Sequence, residues 1–228
     1  MVGDKTQALA NVMDHIVRRV VWRIGPVEIT STVVNTWIIV AVLFIGAFWI
    51  RRRLEEKPRG IQTLLEILVE FLHSMIDGVM GREGRRYLPF VGPLFVFILA
   101  LNVGWVIPGV MPPTTDLMTT AALGLTTVAL VQLAIVRAKG VIGYLRHLAQ
   151  PTVVMIPMNI IEELVKPFSL AIRLFGNMFG EEMVVTILFL LVPVLAPTPV
   201  MVLGILMGSI QAYIFTLLTI TYLPAGDQ

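Results

Sequence analysis

The stretch KPFSLAIRLFGNMFGEE, residues 166–182, places Arg173, Glu181 and Glu182 in or beside sequence that is otherwise apolar. It runs directly into the apolar segment 183–192. An arginine near the middle of a bilayer costs from ~3 kcal/mol on insertion scales to above ~10 kcal/mol in simulations of an isolated helix. Because a charge is so costly there, Arg173 predicts a functional site. We interpret the rest of the chain as the scaffold that stabilises this arginine in the membrane.

The composition places the chain among multi-span membrane proteins. Its 228 residues are 57% hydrophobic and 14% charged, with a mean hydropathy of +0.86, which is far outside the range of soluble domains. There is no cysteine, and His15, His73 and His147 lack the spacing of metal ligands. No glycine-rich phosphate loop occurs either. We therefore expect no metal, no cofactor and no nucleotide on this chain.

Five apolar segments are long enough to cross a membrane. They are residues 33–50, 88–110, 117–136, 168–192 and 200–223. Every lysine and arginine from Arg51 to Lys166 then falls on one side, which the positive-inside tendency identifies as cytoplasmic. The amino terminus is predicted outside and the carboxyl terminus in the cytoplasm. Residues 1–29 form an outer arm, short and amphipathic or loosely ordered, and residues 30–228 form a single all-α transmembrane domain.

Residues 61–79 predict a sixth, amphipathic helix that lies along the cytoplasmic surface. One face is apolar, and the other carries Glu66, Glu70, His73 and Asp77. An acidic polar face is unusual for attraction to lipid headgroups, so it favours a protein partner or packing on the other helices. A solvated face without a partner is the alternative. Residues 81–86, GREGRR, then form a basic turn.

Helical phase separates the charges of the opening stretch. A helix over residues 168–192 is about 37 Å long, against a hydrocarbon core of about 30 Å, so we expect it to be tilted. At 100° per residue, Ser169, Arg173 and Asn177 share one stripe. Glu182 lies half a turn from Arg173, and Glu181 lies about 80° round from it. Arg173 and Glu182 are therefore not expected to form an ion pair within the helix.

Small and amide side chains inside the spans have two interpretations. Gly204, Gly208 and Gln211 share one face of the last segment, and Gly176 and Gly180 repeat the small-residue spacing on the segment before it. Such faces usually pack closely, but gaps beside a glutamate and an amide can also admit water. Asn102 and Gln132 likewise fit either a hydrogen bond between helices or a transport ligand.

Several motifs together resemble one family, the a subunit of F-type ATP synthases. They are NIIEELVKP (159–167), SLAIRLFGNM (169–178), EEMVV (181–185), PTTDLMTT (113–120), YLRHLAQPT (144–152) and GSIQAYIF (208–215). The resemblance covers roughly residues 24–222, and these segments are similar to those of the bacterial and chloroplast forms. It implies a stator subunit whose last two helices form a long, steeply tilted antiparallel hairpin facing the ring of c subunits. The implied partners are that c ring, the b or peripheral-stalk subunits and the lipid bilayer, without nucleic acid. A bacterial plasma membrane is implied, with a thylakoid membrane as the alternative.

The resemblance also implies roles for individual residues. Arg173 is the family's essential arginine, Asn177 its neighbouring amide, Gln211 the glutamine that faces the arginine, and Glu182 the carboxylate of the outer half-channel. Gly204 stands near that carboxylate where many members have a histidine, so water beside Glu182 is the expected carrier. The expected path for the ion, most simply a proton, runs through the following residues: Asn102, Asp116, Glu181, Glu182, Gly204 and Gly208 on the outer side, and Glu162, Ser169 and Asn159 on the inner side.

Two other classes of function compete with this interpretation. A stand-alone secondary transporter or channel would use Arg173 to bind an anionic substrate, and it would show inverted repeats and matching broken helices. A membrane-embedded enzyme would need clustered acids or histidines at membrane depth. The sequence shows neither pattern, and we expect no enzymatic activity from this chain alone.

Overall fold

The computed structural model describes residues 20–24, 27–52, 60–104, 112–148, 156–191 and 197–224. Within the predicted arm, strands β1 (Val20–Ile24) and β2 (Val27–Thr30) pair antiparallel, with Ile24 opposite Val27. The expectation of a loosely ordered arm was therefore wrong for these residues, and the described part of the chain is all-α apart from this hairpin. β-branched and aromatic residues in both segments favour strands. The rest of the arm lies outside the described residues.

Helix α1 (Ser31–Arg51) confirms the first predicted span in length and position. None of its residues is buried, and its large apolar side chains, including Trp37 and Phe44, are exposed. α1 therefore presents its apolar surface outward nearly all the way round.

Helix α2 (Ile61–Met80) confirms the predicted amphipathic helix. Leu72, Met75 and Ile76 are buried in the main core, whereas Glu66 and Glu70 are exposed. The buried side chains lie against α3 (Leu88–Val103) and α6 (Pro197–Tyr222). Packing on helices of the same chain thus accounts for the second half of the apolar face.

The basic turn after α2 is a 3-10 helix, Arg82–Tyr87, which leads directly into α3. Arg85 binds back to Asp77, with its Nε donating to Oδ1 at 2.9 Å. This hydrogen bond holds the pKa of Asp77 below its ordinary value. The predicted end of the α3 span, at residue 110, lies outside the described residues.

Helix α4 (Leu117–Leu148) is longer than predicted, because the sequence placed its end at residue 136. The helix continues past Arg137 and is interrupted at Gly140, whose φ of 72° is left-handed. Arginine and lysine are good helix formers. A change from apolar to basic residues marks the end of the hydrocarbon region without ending the helix.

Helix α5 (Ile156–Leu191) joins two segments that the sequence separated at Pro167. A proline removes one backbone hydrogen bond, but neighbouring helices allow it inside membrane helices. Here α4 comes very close, since a Cβ added to Gly124 would lie 2.7 Å from the Pro167 carbonyl oxygen. Gly124 therefore permits the contact between α4 and α5 at the proline.

Within the described residues, four segments are long and apolar enough to cross a membrane: Ser31–Arg51, Arg82–Val103, Leu117–Ala138 and Pro197–Tyr222. They confirm four of the five predicted crossings by length and composition, and the chain is an integral membrane protein. α5, which carries Arg173, Glu181 and Glu182, is not among the four. The core that holds these helices together draws on α2 to α6 and includes Leu72, Phe95, Val131, Leu174 and Phe215.

Candidate functional site

Arg173 lies on α5 with its side chain exposed, among apolar side chains that are also exposed. Phe168 and Ile172 are 63% and 60% accessible. In the described part of the chain, Arg173 forms no hydrogen bond or ion pair. Ser169, one turn earlier, is exposed as well, and Asn177, one turn later, is half-buried. The predicted stripe therefore turns from the surface towards the interior along its length.

Glu181 lies against the last helix, at Gly204. A Cβ added to Gly204 would overlap the Glu181 carboxylate, so a larger residue at position 204 would require the end of this side chain to shift. The sequence placed Gly204 near Glu182, whereas the nearest atoms at this glycine belong to Glu181. Helical phase alone left the direction of Glu181 open, and the contact with α6 decides it.

Glu182 points to a different part of the molecule, the loop before α4. The Thr115 side chain lies near its carboxylate, while the Thr115 hydroxyl donates to the Pro112 carbonyl oxygen at 2.8 Å. Thr115 belongs to a short 3-10 helix, Pro113–Thr115, followed by Asp116, whose Oδ1 accepts a hydrogen bond from the backbone of Met118 at 2.9 Å. Asp116 also lines a cavity of about 490 Å³ between α1, α3 and α4. The two adjacent glutamates therefore contact different elements.

Asn102 joins α3 to α6. Its Nδ2 donates to the Gly208 carbonyl oxygen at 3.1 Å, and a Cβ on Gly208 would lie 3.1 Å from the Asn102 Cβ. Gly208 thus permits a close approach of the two helices. Asn102 therefore forms a hydrogen bond between two helices, which was one of the two interpretations that the sequence allowed.

Several buried polar atoms near this region lack a hydrogen-bond partner among the described residues. Four predicted site residues each contribute one such atom: Asn102 Oδ1, Asn177 Nδ2, Glu181 Oε2 and Gln211 Nε2. Gly204, Gly208 and Gln211 are all buried on α6, which confirms that they share a face. Buried polar atoms are nearly always hydrogen-bonded, to protein or to ordered water. A group of unsatisfied atoms in one region is therefore typical of a hydrated passage.

Sequence reasoning overlooked threonines in the same region. Thr114 and Thr216 are fully buried, and the hydroxyl oxygen of each has no partner among the described residues. For Thr114 the available signal was its position inside PTTDLMTT, whereas Thr216 directly follows GSIQAYIF and lies in none of the motifs that resemble the family. Gly204 and Gly208, the two α6 glycines of the predicted outer path, are buried against other helices, whereas Gly176 and Gly180 of α5 are exposed and an added Cβ would meet nothing within 4 Å.

The first half of α5 holds a polar network that the sequence did not predict. The Lys166 ammonium lies 2.9 Å from Glu163 and 3.7 Å from Glu162, and it sits 5.0 Å from the centre of the Tyr222 ring. The Gln132 amide of α4 donates to the other oxygen of Glu163, so it forms a hydrogen bond between α4 and α5. The i to i+3 spacing of Glu163 and Lys166 was the available signal.

The surroundings of this network extend to α4 and to the start of α5. Burial raises the pKa of the Tyr144 phenol above its ordinary value, and the nearby Glu163 carboxylate adds to the rise. The Glu162 side chain is mostly exposed, and Asn159 is half-buried. The predicted inner-side residues therefore lie at or near a network that links α4, α5 and α6.

Comparison with known proteins gives consistent matches along nearly the whole chain. The family described as ATP synthase A chain matches residues 33–224. ATP synthase subunit a of Moorella thermoacetica is 56% identical over 211 residues, which cover 92% of this chain and 97% of that protein. ATP synthase subunit a 1 of Syntrophotalea carbinolica is 43% identical over 198 residues, 85% and 84% of the two chains. ATP synthase subunit a 2 of Bradyrhizobium sp. is 40% identical over 205 residues, 90% and 92%.

Proposed function

This chain belongs to the ATP synthase A chain family, and from that premise we propose that it conducts protons between the membrane faces and a rotating ring of c subunits. Its place in the membrane sector of the ATP synthase follows from the family. The proposal adds the path: two half-channels, offset from each other, that meet the ring on either side of Arg173. Proton flow through them is coupled to rotation and to ATP synthesis by the separate catalytic head.

The exposed Arg173 side chain is the observation that carries the proposal. A guanidinium surrounded by exposed apolar residues, without a counter-ion in the described part of the chain, is costly against lipid. It is stabilised if a partner brings a carboxylate to this surface. A ring whose subunits each present a carboxylate supplies such a group repeatedly, and the apolar side chains around Arg173 then form the contact surface.

Arginine suits this position because its charge is permanent. A guanidinium keeps its proton even when buried, whereas a buried lysine can become neutral. Arg173 attracts a deprotonated ring carboxylate and disfavours a neutral one, so each ring site releases its proton before it passes. The same positive charge repels a proton that would leak directly from one half-channel to the other.

The outer half-channel is proposed to run past Asp116, Glu182 and Glu181 towards Gln211 and Asn177. Its support is the set of buried polar atoms without protein partners, which water molecules would satisfy. The inner half-channel is proposed to pass Ser169, Glu162 and Asn159, beside the network around Lys166. Each proton that crosses a 100 mV potential supplies about 2.3 kcal/mol, so several must cross for each ATP made.

The test combines purification with proton pumping. The chain is expected to copurify with a ring of small helical-hairpin subunits, and Arg173→Ala is expected to abolish ATP-driven pumping in reconstituted vesicles while the complex still assembles. Normal pumping by the assembled Arg173→Ala complex would refute the proposal. Transport by the purified chain without a ring would instead indicate a stand-alone transporter.

A further inference from the structure

We propose that a groove between α3 and α4 binds an anionic phospholipid, with the phosphate at Arg86 and Arg137 and an acyl chain along the groove. The groove encloses about 450 Å³ and is lined by residues of both helices and of the turn before α3. They are Arg86, Tyr87, Phe90, Leu130, Leu133, Ala134, Arg137 and Ala138. The inference rests on the membrane crossing of α3 and α4 and is independent of proton conduction.

The two arginines lie at the same end of the groove. Arg86 directly precedes α3, and Arg137 lies at the end of the apolar part of α4, Leu117–Ala138. Both side chains are exposed, and neither forms an ion pair with a described carboxylate. The one guanidinium of this turn that does so is Arg85, which Asp77 neutralises. The groove therefore carries two uncompensated positive charges at its end.

Arg86 is held in position by an aromatic contact. Its guanidinium carbon lies 4.9 Å from the centre of the Tyr87 ring, and the Tyr87 hydroxyl donates to the Pro224 carbonyl oxygen at 3.3 Å. The end of α6 thus fixes the ring, and the ring fixes the arginine. A guanidinium positioned in this way can donate two parallel hydrogen bonds to a phosphate.

Beyond the two arginines, the groove is lined by apolar side chains of the membrane-crossing part of α3 and α4. Leu130 and Leu133 are each 44% exposed and lie one turn apart on α4, with Arg137 a further turn along the same stripe. Phe90 closes the groove from α3. An apolar channel that ends at two cations at the membrane surface matches the order of groups in a phospholipid, and basic pockets between spans bind anionic headgroups.

The experiment measures lipid retention by the full-length chain with native mass spectrometry. The purified chain is equilibrated with phosphatidylglycerol and phosphatidylcholine that carry identical acyl chains, and the ratio of the bound lipids is recorded. The wild type is expected to favour phosphatidylglycerol. Arg86→Gln and Arg137→Gln are each expected to lower that preference about fivefold. Arg52→Gln is the control, since Arg52 also stacks on an aromatic ring, that of Phe48 at 4.3 Å, but does not line the groove.

A second pair of variants tests the acyl-chain part of the groove. Leu133→Trp fills the groove and leaves both arginines in place, and it is expected to remove the preference for phosphatidylglycerol. Leu125→Trp is its control, because Leu125 is 57% exposed on the same helix but does not line the groove. An unchanged preference in Leu133→Trp, or displacement of the lipid by inorganic phosphate alone, would show simple attraction of anions and overturn the proposal.

The occupant is also tested in the assembled complex. A photo-cross-linking amino acid at position 130 is expected to capture lipid, whereas capture of another subunit would overturn the proposal. All substituted side chains are exposed, and equal thermal midpoints show that each variant is folded. Because lipid retention is measured without pumping, its failure is distinguishable from failure of the proposed proton path.

Discussion

Lys166 and Arg173 lie about two turns apart on α5, with nearly the same helical phase, but their surroundings are opposite. The Lys166 side chain is 18% exposed and contacts Glu162, Glu163 and the Tyr222 ring. Arg173 is exposed and has no such contact among the described residues. The difference separates a cation that stabilises the fold from one that is available to a partner.

The polar groups near each cation show the same contrast. Around Lys166, Glu163 uses both oxygens, one towards Lys166 and one towards Gln132. Near Asn177 and Glu181, buried polar atoms have no partner in the part of the chain that the structure describes. A network that is satisfied contributes to stability, whereas unsatisfied groups are retained where function requires them. The variants below are chosen to break or sharpen this comparison.

The largest expected effect comes from removing each cation in turn. Arg173→Ala should abolish ATP-driven pumping and leave the free energy of unfolding unchanged within about 0.5 kcal/mol, since no contact of the described chain is lost. Lys166→Ala should lower that free energy by about 2 kcal/mol, because Glu163 loses a charged partner, while assembled complexes keep most of their pumping. Denaturant unfolding in detergent and pumping in vesicles measure the two quantities. Lost pumping with normal stability in Lys166→Ala would contradict the assignment of Lys166 to structure.

The next largest effect distinguishes the two neighbouring glutamates. Glu182→Gln should slow proton flux on the order of 100-fold, because it removes a carboxylate that lies near Thr115 on the proposed outer half-channel. Glu181→Gln should slow flux only a few-fold, since Glu181 packs on α6 at Gly204. Passive proton flux through the membrane sector in vesicles measures both. Equal and mild effects would remove Glu182 from the path.

A smaller effect is expected from the glycines, which offer a matched pair. Gly204→Ala should displace the Glu181 carboxylate, which is the flexible end of its side chain, and destabilise the chain by up to about 1 kcal/mol. Gly180→Ala meets open space on α5 and should be neutral or stabilise by up to about 1 kcal/mol. Thermal unfolding in detergent measures both changes. If the two substitutions have the same effect, the packing of Glu181 against Gly204 is not a feature of the folded chain.

The smallest effect concerns an exposed ion pair outside both regions, Asp77 with Arg85. Because the bound Arg85 lowers the folded-state pKa of Asp77, the pair stabilises the fold above the unfolded pKa near 3.8. That contribution is lost as the pH falls through the lower, folded-state pKa. Asp77→Asn should therefore lower the thermal midpoint slightly at pH 7 and match the wild type at strongly acidic pH. A difference between the two chains that persists in acid would exclude the ion pair as its cause.

Hydropathy predicted much of the fold, with limits that have physical causes. The first and last spans and the amphipathic helix were predicted within a few residues, because long apolar or one-sided runs specify such helices directly. The predicted end of α4 and start of α5 were wrong, because Arg137, a good helix former, and Pro167, which neighbouring helices accommodate, were interpreted as helix boundaries. The hairpin of Val20–Ile24 and Val27–Thr30 was missed, because short strands carry little periodic signal.

The candidate site was predicted in the same uneven way. Arg173 stood out because a charge inside an apolar stretch is visible without any structure. The cross-helix partners of Gln132, Glu163 and Asn102 were not visible, because a sequence does not show which residues of another helix lie opposite. The roles of the individual residues in proton transfer stay predictions that the variants above test.

The sequence by itself determined that the chain lies in a lipid bilayer, where four of its spans lie, and that residues 166–182 place charges in an apolar region. Each of these depends only on the chemistry of the residues along one chain. Only the tertiary structure decided that Glu181 meets Gly204, that Glu182 lies near Thr115, and that Lys166 is paired while Arg173 is exposed. Helical phase fixes the direction of a side chain about its own helix axis. Which neighbour lies in that direction depends on how the helices pack, and that is a property of the whole fold.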